Sequence, residues 1–229
     1  MKKLFIGDIV SRAWDLAVKH WPVFLIIALI TGASGALMNG DPYAFTTLGD
    51  NPDPAELYEA LFQSYNPIAV VVVLLLNVYL SLITYRMLAN VMDFGSPYRE
   101  GGLMDILKVD LARFGLFLGV EIVYCMAVSV GSTLCLIPGL FIAVRWCFAP
   151  LIAATGDITF SEALGRSWEL TKGHFWELFL LGLTAIGIAI VGFCACCVGV
   201  FFAEIIVNFM IVIAYYALKN DDTETAYVQ

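Results

Sequence analysis

Long apolar runs alternate along this chain with short segments in which charged residues recur at helical spacing. Each apolar run is roughly 18 to 23 residues long, which is enough for a helix to cross a bilayer. The six runs cover residues 21–38, 67–89, 114–134, 136–154, 175–194 and 198–218. The pattern predicts an all-α fold, a polytopic membrane bundle of six transmembrane helices that forms one integral membrane domain over residues 1–229.

Two of the intervening segments, residues 4–19 and residues 160–172, have the pattern of amphipathic helices. In each segment the charged residues share one face, and apolar residues occupy the opposite face. The charged positions are Asp8, Arg12, Asp15 and Lys19 in the first segment and Glu162, Arg166, Glu169 and Lys172 in the second. We therefore predict two helices that lie in the membrane interface. Thr159 with Glu162 predicts a capping box at the start of the second helix, and Gly173 suits its end.

The two amphipathic segments also match each other at a constant offset of 154 positions. The matching pairs are Asp8 with Glu162, Arg12 with Arg166, Trp14 with Trp168, Asp15 with Glu169, Leu16 with Leu170, and His20 with His174. This similarity predicts an internal repeat. A third interfacial helix is predicted over residues 103–112, with Leu107 and Arg113 at the tryptophan and histidine positions. Whether that segment is a third copy or an unrelated sequence stays open.

Lysine and arginine placement predicts the orientation of the bundle. The loop over residues 39–66 contains neither residue type and holds five of the 20 acidic residues. Apart from Arg145, every basic residue lies on the opposite side of a six-span arrangement. The positive-inside rule then places both termini in the cytoplasm and the acidic loop outside. Within the loop, Asp53-Pro54-Ala55-Glu56 predicts the start of a short external helix, and a ligand-binding lid is the alternative.

Composition limits the classes of partner. With 61% hydrophobic and 14% charged residues, the chain has fewer charges than ordinary soluble domains, in which about a quarter of residues are charged. The net charge of −8 argues against nucleic acid as a partner. Membrane lipids are the expected partners, with a protein partner or a second copy of the chain also open. The small residues Gly115 and Gly119 predict close helix packing within the bundle, with dimerisation as the alternative.

Polar residues inside the apolar runs form a candidate intramembrane polar cluster. Its members are Arg145, Glu121, Glu204, Asn208 and Asn77. A guanidinium near the bilayer centre costs at least roughly 2.5 to 3.5 kcal/mol, so we expect Arg145 to be buried and paired with a carboxylate. Glu121 is the preferred partner and Glu204 the second choice. Asn77, Ser81 and Thr84 form a polar stripe, and Glu204 and Asn208 lie one turn apart; such stripes pair across helices or line a path.

No residue pattern of a known catalytic, cofactor or metal site is visible. The chain lacks a paired-histidine helix with a glutamate, a phosphate-binding glycine loop and a serine elbow. The six cysteines lack metal-ligand spacing and supporting histidines, so we interpret them as packing residues, with a disulfide or soft-metal site on the outer turns as the alternative. His20 and His174 are interpreted as architectural, with a titrating role as the alternative. We predict no catalytic residue, no cofactor and no metal.

One part of the chain resembles a known family. The residues are Ile137-Pro138-Gly139-Leu140, Arg145, and Glu162-Ala163-Leu164-Gly165-Arg166-Ser167-Trp168-Glu169-Leu170-Thr171-Lys172-Gly173. They resemble the membrane domain that precedes the catalytic domain in some bacterial glycerophosphodiester phosphodiesterases, and its uncharacterised stand-alone relatives. The resemblance implies a six-span protein of the bacterial cytoplasmic membrane. It does not imply the phosphodiesterase reaction, which belongs to a separate soluble barrel, and no catalytic residues carry over.

These observations leave three function classes. The first is a non-enzymatic integral membrane module of the cytoplasmic membrane that acts as an anchor, scaffold or envelope-associated partner. The alternative is a small transporter or lipid-handling protein with a polar path near Arg145, and an intramembrane enzyme is third. A water-filled cavity that reaches Arg145 would favour transport, a laterally open apolar groove would favour lipid handling, and a sealed bundle would favour the module.

Overall fold

The computed structural model describes residues 5–38, 53, 67–98, 102–134, 136–156, 158–194 and 196–226. These residues form helices joined by short connections, with no strand among them. The helices are α1 Ile6–Met38, α2 Pro67–Phe94, α3 Leu103–Leu107, α4 Leu111–Leu134, α5 Leu136–Arg145, α6 Ala149–Thr155, α7 Phe160–Leu170, α8 Phe175–Cys194 and α9 Cys196–Ala226. The all-α fold class is therefore confirmed.

Six segments of the described chain are long and apolar enough to cross a membrane. They are Ile6–Ser34, Ile68–Phe94, Leu111–Thr133, Ile137–Thr155, Phe175–Cys194 and Gly199–Asn220. Each overlaps one of the six runs predicted from the sequence, so the six-span architecture is confirmed. The predicted external helix after Asp53 lies outside the described residues.

The first amphipathic segment and the first span form a single helix. The sequence predicts separate helices over residues 4–19 and 21–38, but α1 runs without interruption for 33 residues. At 1.5 Å per residue it is about 50 Å long, well beyond the roughly 30 Å hydrocarbon core. The buried side chains Ile9, Ala13 and Ala17 share a face with Phe24 and Ala28 further along. Because this buried face continues past Pro22, packing holds the two segments in one helix.

The middle amphipathic segment is shorter than predicted. In place of a helix over residues 103–112, α3 ends at Leu107, where Lys108 adopts an extended conformation. Side chains of α2 bind the carbonyl groups at this end: Tyr79 Oη donates to the Leu107 oxygen at 2.7 Å, and Arg86 Nη1 donates to the Ile106 oxygen at 2.9 Å. These bonds replace helical ones, so the chain turns and α4 begins at Leu111.

The fourth span is broken, although the sequence predicts one helix over residues 136–154. Helix α5 ends at Arg145, and α6 begins at Ala149. Pro150 has no N–H, and its ring disfavours a regular helix through the preceding turn. The N–H of Ala149 donates to the Trp146 oxygen at 3.0 Å, which leaves the Arg145 oxygen without its helical donor. The break therefore creates a free carbonyl inside the protein.

Helix α7 supplies the donor that this carbonyl lacks. Ser167 Oγ donates to the Arg145 oxygen at 2.9 Å, and Thr171 Oγ1 lies 3.4 Å from the same atom. Both side chains are fully buried. The predicted capping box of Thr159 and Glu162 is present at the start of α7. The Ser167 hydroxyl therefore fixes α7 against the break in the fourth span.

Tight helix hairpins and the buried helix α6 organise the bundle. Helix α6 is buried from Ala149 to Ala154 and contacts α2, α4 and α7. Helix α4 packs along α5, α8 along α9, and α9 along α1. A Cβ at Gly131 would lie 2.8 Å from the Gly139 Cα, so glycine is required where α4 meets α5. A Cβ at Gly115 would meet no neighbour within 4 Å, so the close approach is not at that end of α4.

Candidate intramembrane site

Polar side chains from three membrane-spanning helices converge on one cavity of about 260 Å³. The cavity lies between α1, α2 and α9. Its polar lining consists of Thr31, Asn77, Ser81, Thr84, Tyr85, Glu204 and Asn208. Polar groups are costly within a bilayer and commonly mark sites for ligands or ions. This cavity, which we call the polar cavity, is the candidate functional site.

The polar cavity begins in the half of the bundle near the end of α1 and the start of α2, and it extends past the middle of α2. At 1.5 Å per residue, Thr31 is about 10 Å from the end of α1 and Asn77 about 15 Å from the start of α2. On the same scale, Glu204 is about 12 Å and Asn208 about 18 Å from the start of α9. These four side chains therefore lie at similar depths below the side that the sequence predicts to be external, whereas Thr84 and Tyr85, about 26 and 27 Å from the start of α2, lie deeper.

Apolar packing closes the other end of the cavity. Phe24 and Leu88 line it and are nearly fully buried. The ring of Phe24 packs edge-on against Phe209 with centroids 5.3 Å apart, and Phe209 is fully buried. Further along α2 and α9, Val91 and Val212 continue this buried apolar layer. The polar cavity is therefore a dead end and not a channel through the bundle.

Local hydrogen bonds use up many of the donors around the cavity. Thr31 Oγ1 donates to the Ile27 oxygen at 3.0 Å, and Thr84 Oγ1 donates to the Leu80 oxygen at 2.9 Å. The two asparagines also bond within their own helices. Asn77 Nδ2 donates to the Val73 oxygen at 2.9 Å, and Asn208 Nδ2 donates to the Glu204 oxygen at 3.0 Å. These bonds leave hydroxyl lone pairs, the Asn208 amide oxygen and a second N–H on each asparagine for a ligand, and the hydroxyls of Ser81 and Tyr85 can also donate.

The Glu204 carboxylate makes no hydrogen bond or ion pair with any residue that the structure describes. Lysine, arginine and histidine are absent from the described lining of the cavity. The Asn77 amide oxygen, by contrast, accepts a bond of 3.1 Å from Ser34 Oγ. The cavity therefore combines one uncompensated carboxylate with several neutral acceptors.

The structure brings together three of the five residues of the predicted polar cluster. Asn77, Glu204 and Asn208 line the same cavity, whereas Arg145 and Glu121 do not. The sequence missed Thr31 and Tyr85 as members of this lining. Tyr85 follows Ser81 by four positions, so extending the polar stripe of α2 by one turn would have found it.

Arg145 binds aromatic rings, and the predicted ion pair is wrong. Its guanidinium carbon lies 5.1 Å from the ring centroids of both Phe141 and Trp168. Nη1 is 3.5 Å from Thr171 Oγ1, and no carboxylate within the described ranges pairs with it. The break after α5 turns the side chain toward α7, where two ring faces provide favourable electrostatics for the cation. Its Nε atom is buried without a hydrogen-bond partner in the described chain.

Glu121, on α4, is not among the residues that line the polar cavity. It is within electrostatic range of the hydroxyl groups of Tyr85 and Tyr124.

The two histidines lie elsewhere in the bundle. His174 Nδ1 is 2.8 Å from the Glu177 carboxylate, and His20 Nε2 is buried without a hydrogen-bond partner in the described residues. Neither histidine lines the polar cavity.

Residues that the structure describes also line two further cavities. An apolar groove of about 350 Å³ separates the α4–α5 hairpin from the α8–α9 hairpin, and Phe148, Leu178, Phe179 and Met210 are among its lining residues. The other, of about 440 Å³, lies beside the start of α4. Its charged lining residues are Arg86, Lys108, Asp110, Arg113 and Glu162. Because charges of both signs surround this cavity beside α4, its lining does not favour an anion over a cation.

Metal-binding chemistry is not indicated in the part of the chain that the structure describes. No group of three or more His, Cys, Asp or Glu side chains there could hold a metal ion. Cys125, Cys147 and Cys194 are free thiols, and Cys135 lies outside the described residues.

Comparisons with known protein families, curated proteins and solved structures found no match to this chain.

Proposed function

We propose that this chain is a non-enzymatic integral membrane protein that binds a small polar ligand in the polar cavity. The observation that carries the proposal is the convergence of polar side chains from α1, α2 and α9 on one intramembrane cavity, where the Glu204 carboxylate pairs with none of the described residues. A purely structural anchor or scaffold does not need this arrangement, because polar side chains within a bilayer are costly and commonly mark a functional site. Ligand binding gives these groups a partner.

Binding is better supported than conduction. The polar lining ends at Phe24 and Leu88, and the buried apolar layer lies beyond them. The polar cavity also does not reach Arg145, so the polar path expected near that residue is not part of the proposal. A transport cycle would require a second conformation in which this apolar layer opens.

The proposed setting is the bacterial cytoplasmic membrane, with both termini in the cytoplasm and the cavity below the external face. Lysine and arginine placement supports this orientation. The resemblance to the membrane domain of glycerophosphodiester phosphodiesterases supports the membrane assignment. The internal repeat relating residues 4–19 to residues 160–172 stays a prediction.

Lipid handling is the second candidate function. The apolar groove between the two hairpins favours it, because its lining is apolar apart from groups such as Tyr124 and Cys147. A phospholipid acyl chain fits the chemistry of that groove. This candidate and ligand binding in the polar cavity use different parts of the bundle and are separately testable.

Water access to the polar cavity tests the first proposal. A full-length chain with the six native cysteines replaced would carry Ser81→Cys, which changes one small side chain on the cavity wall. Leu76→Cys on the same helix is the matched control, since Leu76 is 40% exposed and lies outside the cavity lining. Small charged thiosulfonate reagents need water to reach a thiol.

In membranes, we expect such reagents to modify the thiol at position 81 and to leave the thiol at position 76 largely unmodified. If neither a cationic nor an anionic reagent modifies position 81, the polar cavity is closed to water and the proposed function fails. Modification at both positions at equal rates would also contradict it, because the control position faces lipid.

A further inference from the structure

The charge around the polar cavity restricts the ligand that it accepts. Glu204 is the one ionisable acid or base in the described lining apart from the weakly acidic Tyr85 phenol. An anionic ligand would be repelled by this carboxylate, and a neutral ligand would leave its charge uncompensated. A cation satisfies it.

Hydrogen-bonding capacity of the cavity lining is compatible with a cation that carries its own donors. The hydroxyl protons of Thr31 and Thr84 go to carbonyl oxygens of their own helices, so these side chains offer lone pairs to the cavity. The Asn208 amide group donates to a backbone oxygen, which leaves its amide oxygen toward a ligand. The second N–H of this amide and the hydroxyls of Ser81 and Tyr85 can donate, so the lining offers both acceptors and donors, and the charge of Glu204 is what distinguishes the ligand classes.

Cavity size and ligand number argue against a metal ion. Calcium takes six to eight oxygen ligands at about 2.3 to 2.6 Å, commonly from several carboxylates. The polar cavity supplies one carboxylate and has about 260 Å³ of space, which is too open to close around a bare ion. An ammonium group is larger, carries its own donors and binds to fewer acceptors.

We propose that the ligand of the polar cavity is a small organic ammonium cation, held by the Glu204 carboxylate and the Asn208 amide oxygen. This proposal rests on the proposed function, because it assigns a ligand class to the same cavity. Glu204 lies one helical turn before Asn208, so both acceptors are on one face of α9. Thr31 and Thr84 face them from α1 and α2.

Charge selectivity of thiol modification tests the ligand class. With cysteine at position 81, we compare a cationic and an anionic thiosulfonate reagent, each normalised to its rate with a free thiol in water. A carboxylate in the cavity should favour the cationic reagent by about tenfold or more. Glu204→Gln should reduce this preference to about threefold or less. Glu169→Gln is the control, because it removes an exposed carboxylate from α7, which contributes no residue to the described cavity lining, and it should leave the preference unchanged.

A second experiment asks whether an ammonium ion protects the thiol at position 81 from modification. Methylammonium chloride should slow modification at position 81 by the cationic reagent, whereas sodium chloride, potassium chloride and sodium acetate at the same concentration should not. If Glu204→Gln does not fold, Asn208→Leu keeps the carboxylate and should weaken methylammonium protection by about tenfold.

The outcomes separate the two proposals. Absence of reaction with either reagent contradicts the cavity as a ligand site. Equal normalised rates for the two reagents, or protection by acetate, would leave a water-filled ligand site and overturn the cation assignment. Equal protection by the alkali chlorides would assign the site to a metal cation and overturn the ammonium assignment.

Discussion

Ser167→Ala tests how the broken fourth span is held in place. Ser167 is fully buried, and its hydroxyl donates to the Arg145 oxygen at 2.9 Å. The substitution removes this donor but keeps the carbonyl buried, so the cost is that of an unsatisfied acceptor, about 1 to 3 kcal/mol. Thr171 is a poor replacement, since its hydroxyl proton already donates to the Trp168 oxygen at 3.1 Å. We therefore expect a loss near the middle of that range.

The assay is unfolding by SDS in dodecylmaltoside micelles, followed by far-ultraviolet circular dichroism. Ser161→Ala is the matched control, because Ser161 is exposed on the same helix. It should change the free energy of unfolding by less than about 0.5 kcal/mol. If Ser167→Ala and Ser161→Ala have the same stability, the Arg145 carbonyl does not depend on α7 and the reasoning is refuted.

Pro150→Ala provides an internal check on the same argument. With an N–H at position 150, the Trp146 oxygen gains a regular helical donor, and the Ala149 N–H is free to return to the Arg145 oxygen. The cost of Ser167→Ala should then be smaller in the Pro150→Ala background. An unchanged cost would show that the proline does not cause the free carbonyl.

Three further predictions use the same unfolding assay. Gly139→Ala should destabilise the protein by more than about 2 kcal/mol, because the added Cβ would overlap Ser132. Gly187→Ala is the control and should be neutral or slightly stabilising, because a Cβ there meets no atom within 4 Å. Equal effects of the two substitutions would contradict the tight packing of α4 against α5. Arg145→Leu should lower the free energy of unfolding by less than about 3 kcal/mol, because it leaves no buried carboxylate of the described residues without a partner. If the loss is larger and a second substitution that removes a carboxylate recovers the stability, Arg145 does form an ion pair. The hydrogen bond from the Thr159 N–H lowers the pKa of the Glu162 carboxyl group. The stabilisation that this bond gives the folded protein is therefore present above about pH 4.3 and is lost as the pH falls through the lower pKa of the folded state. The difference in stability between wild type and Glu162→Gln should shrink on acidification, and a constant difference would contradict the capping role.

The apolar pattern was sufficient to predict the six spans because length and hydropathy decide whether a helix crosses a membrane. The segment 175–194 was predicted with the same bounds as α8 Phe175–Cys194. The start of α7 was also predictable, since the capping box of Thr159 and Glu162 is a local pattern. Local signals therefore gave the helices and one of their caps.

Tertiary contacts explain what the sequence did not predict. Pro150 was visible, but the break before it is held by hydroxyl groups from α7, about twenty residues away along the chain. The prediction that Arg145 pairs with Glu121 assumed a straight fourth helix, and the break turns Arg145 toward Trp168 instead. For the polar cavity, stripes on α2 and α9 indicated Asn77, Glu204 and Asn208, but only packing shows that they share one cavity.

The most direct test of the account is an electron cryo-microscopy structure of the full-length protein in lipid nanodiscs with methylammonium. We predict density for a bound ligand in the polar cavity, within hydrogen-bond distance of the Glu204 carboxylate and the Asn208 amide oxygen, and loss of that density in Glu204→Gln. A cavity filled by its own side chains, with Glu204 paired to another residue of the chain, would contradict the account.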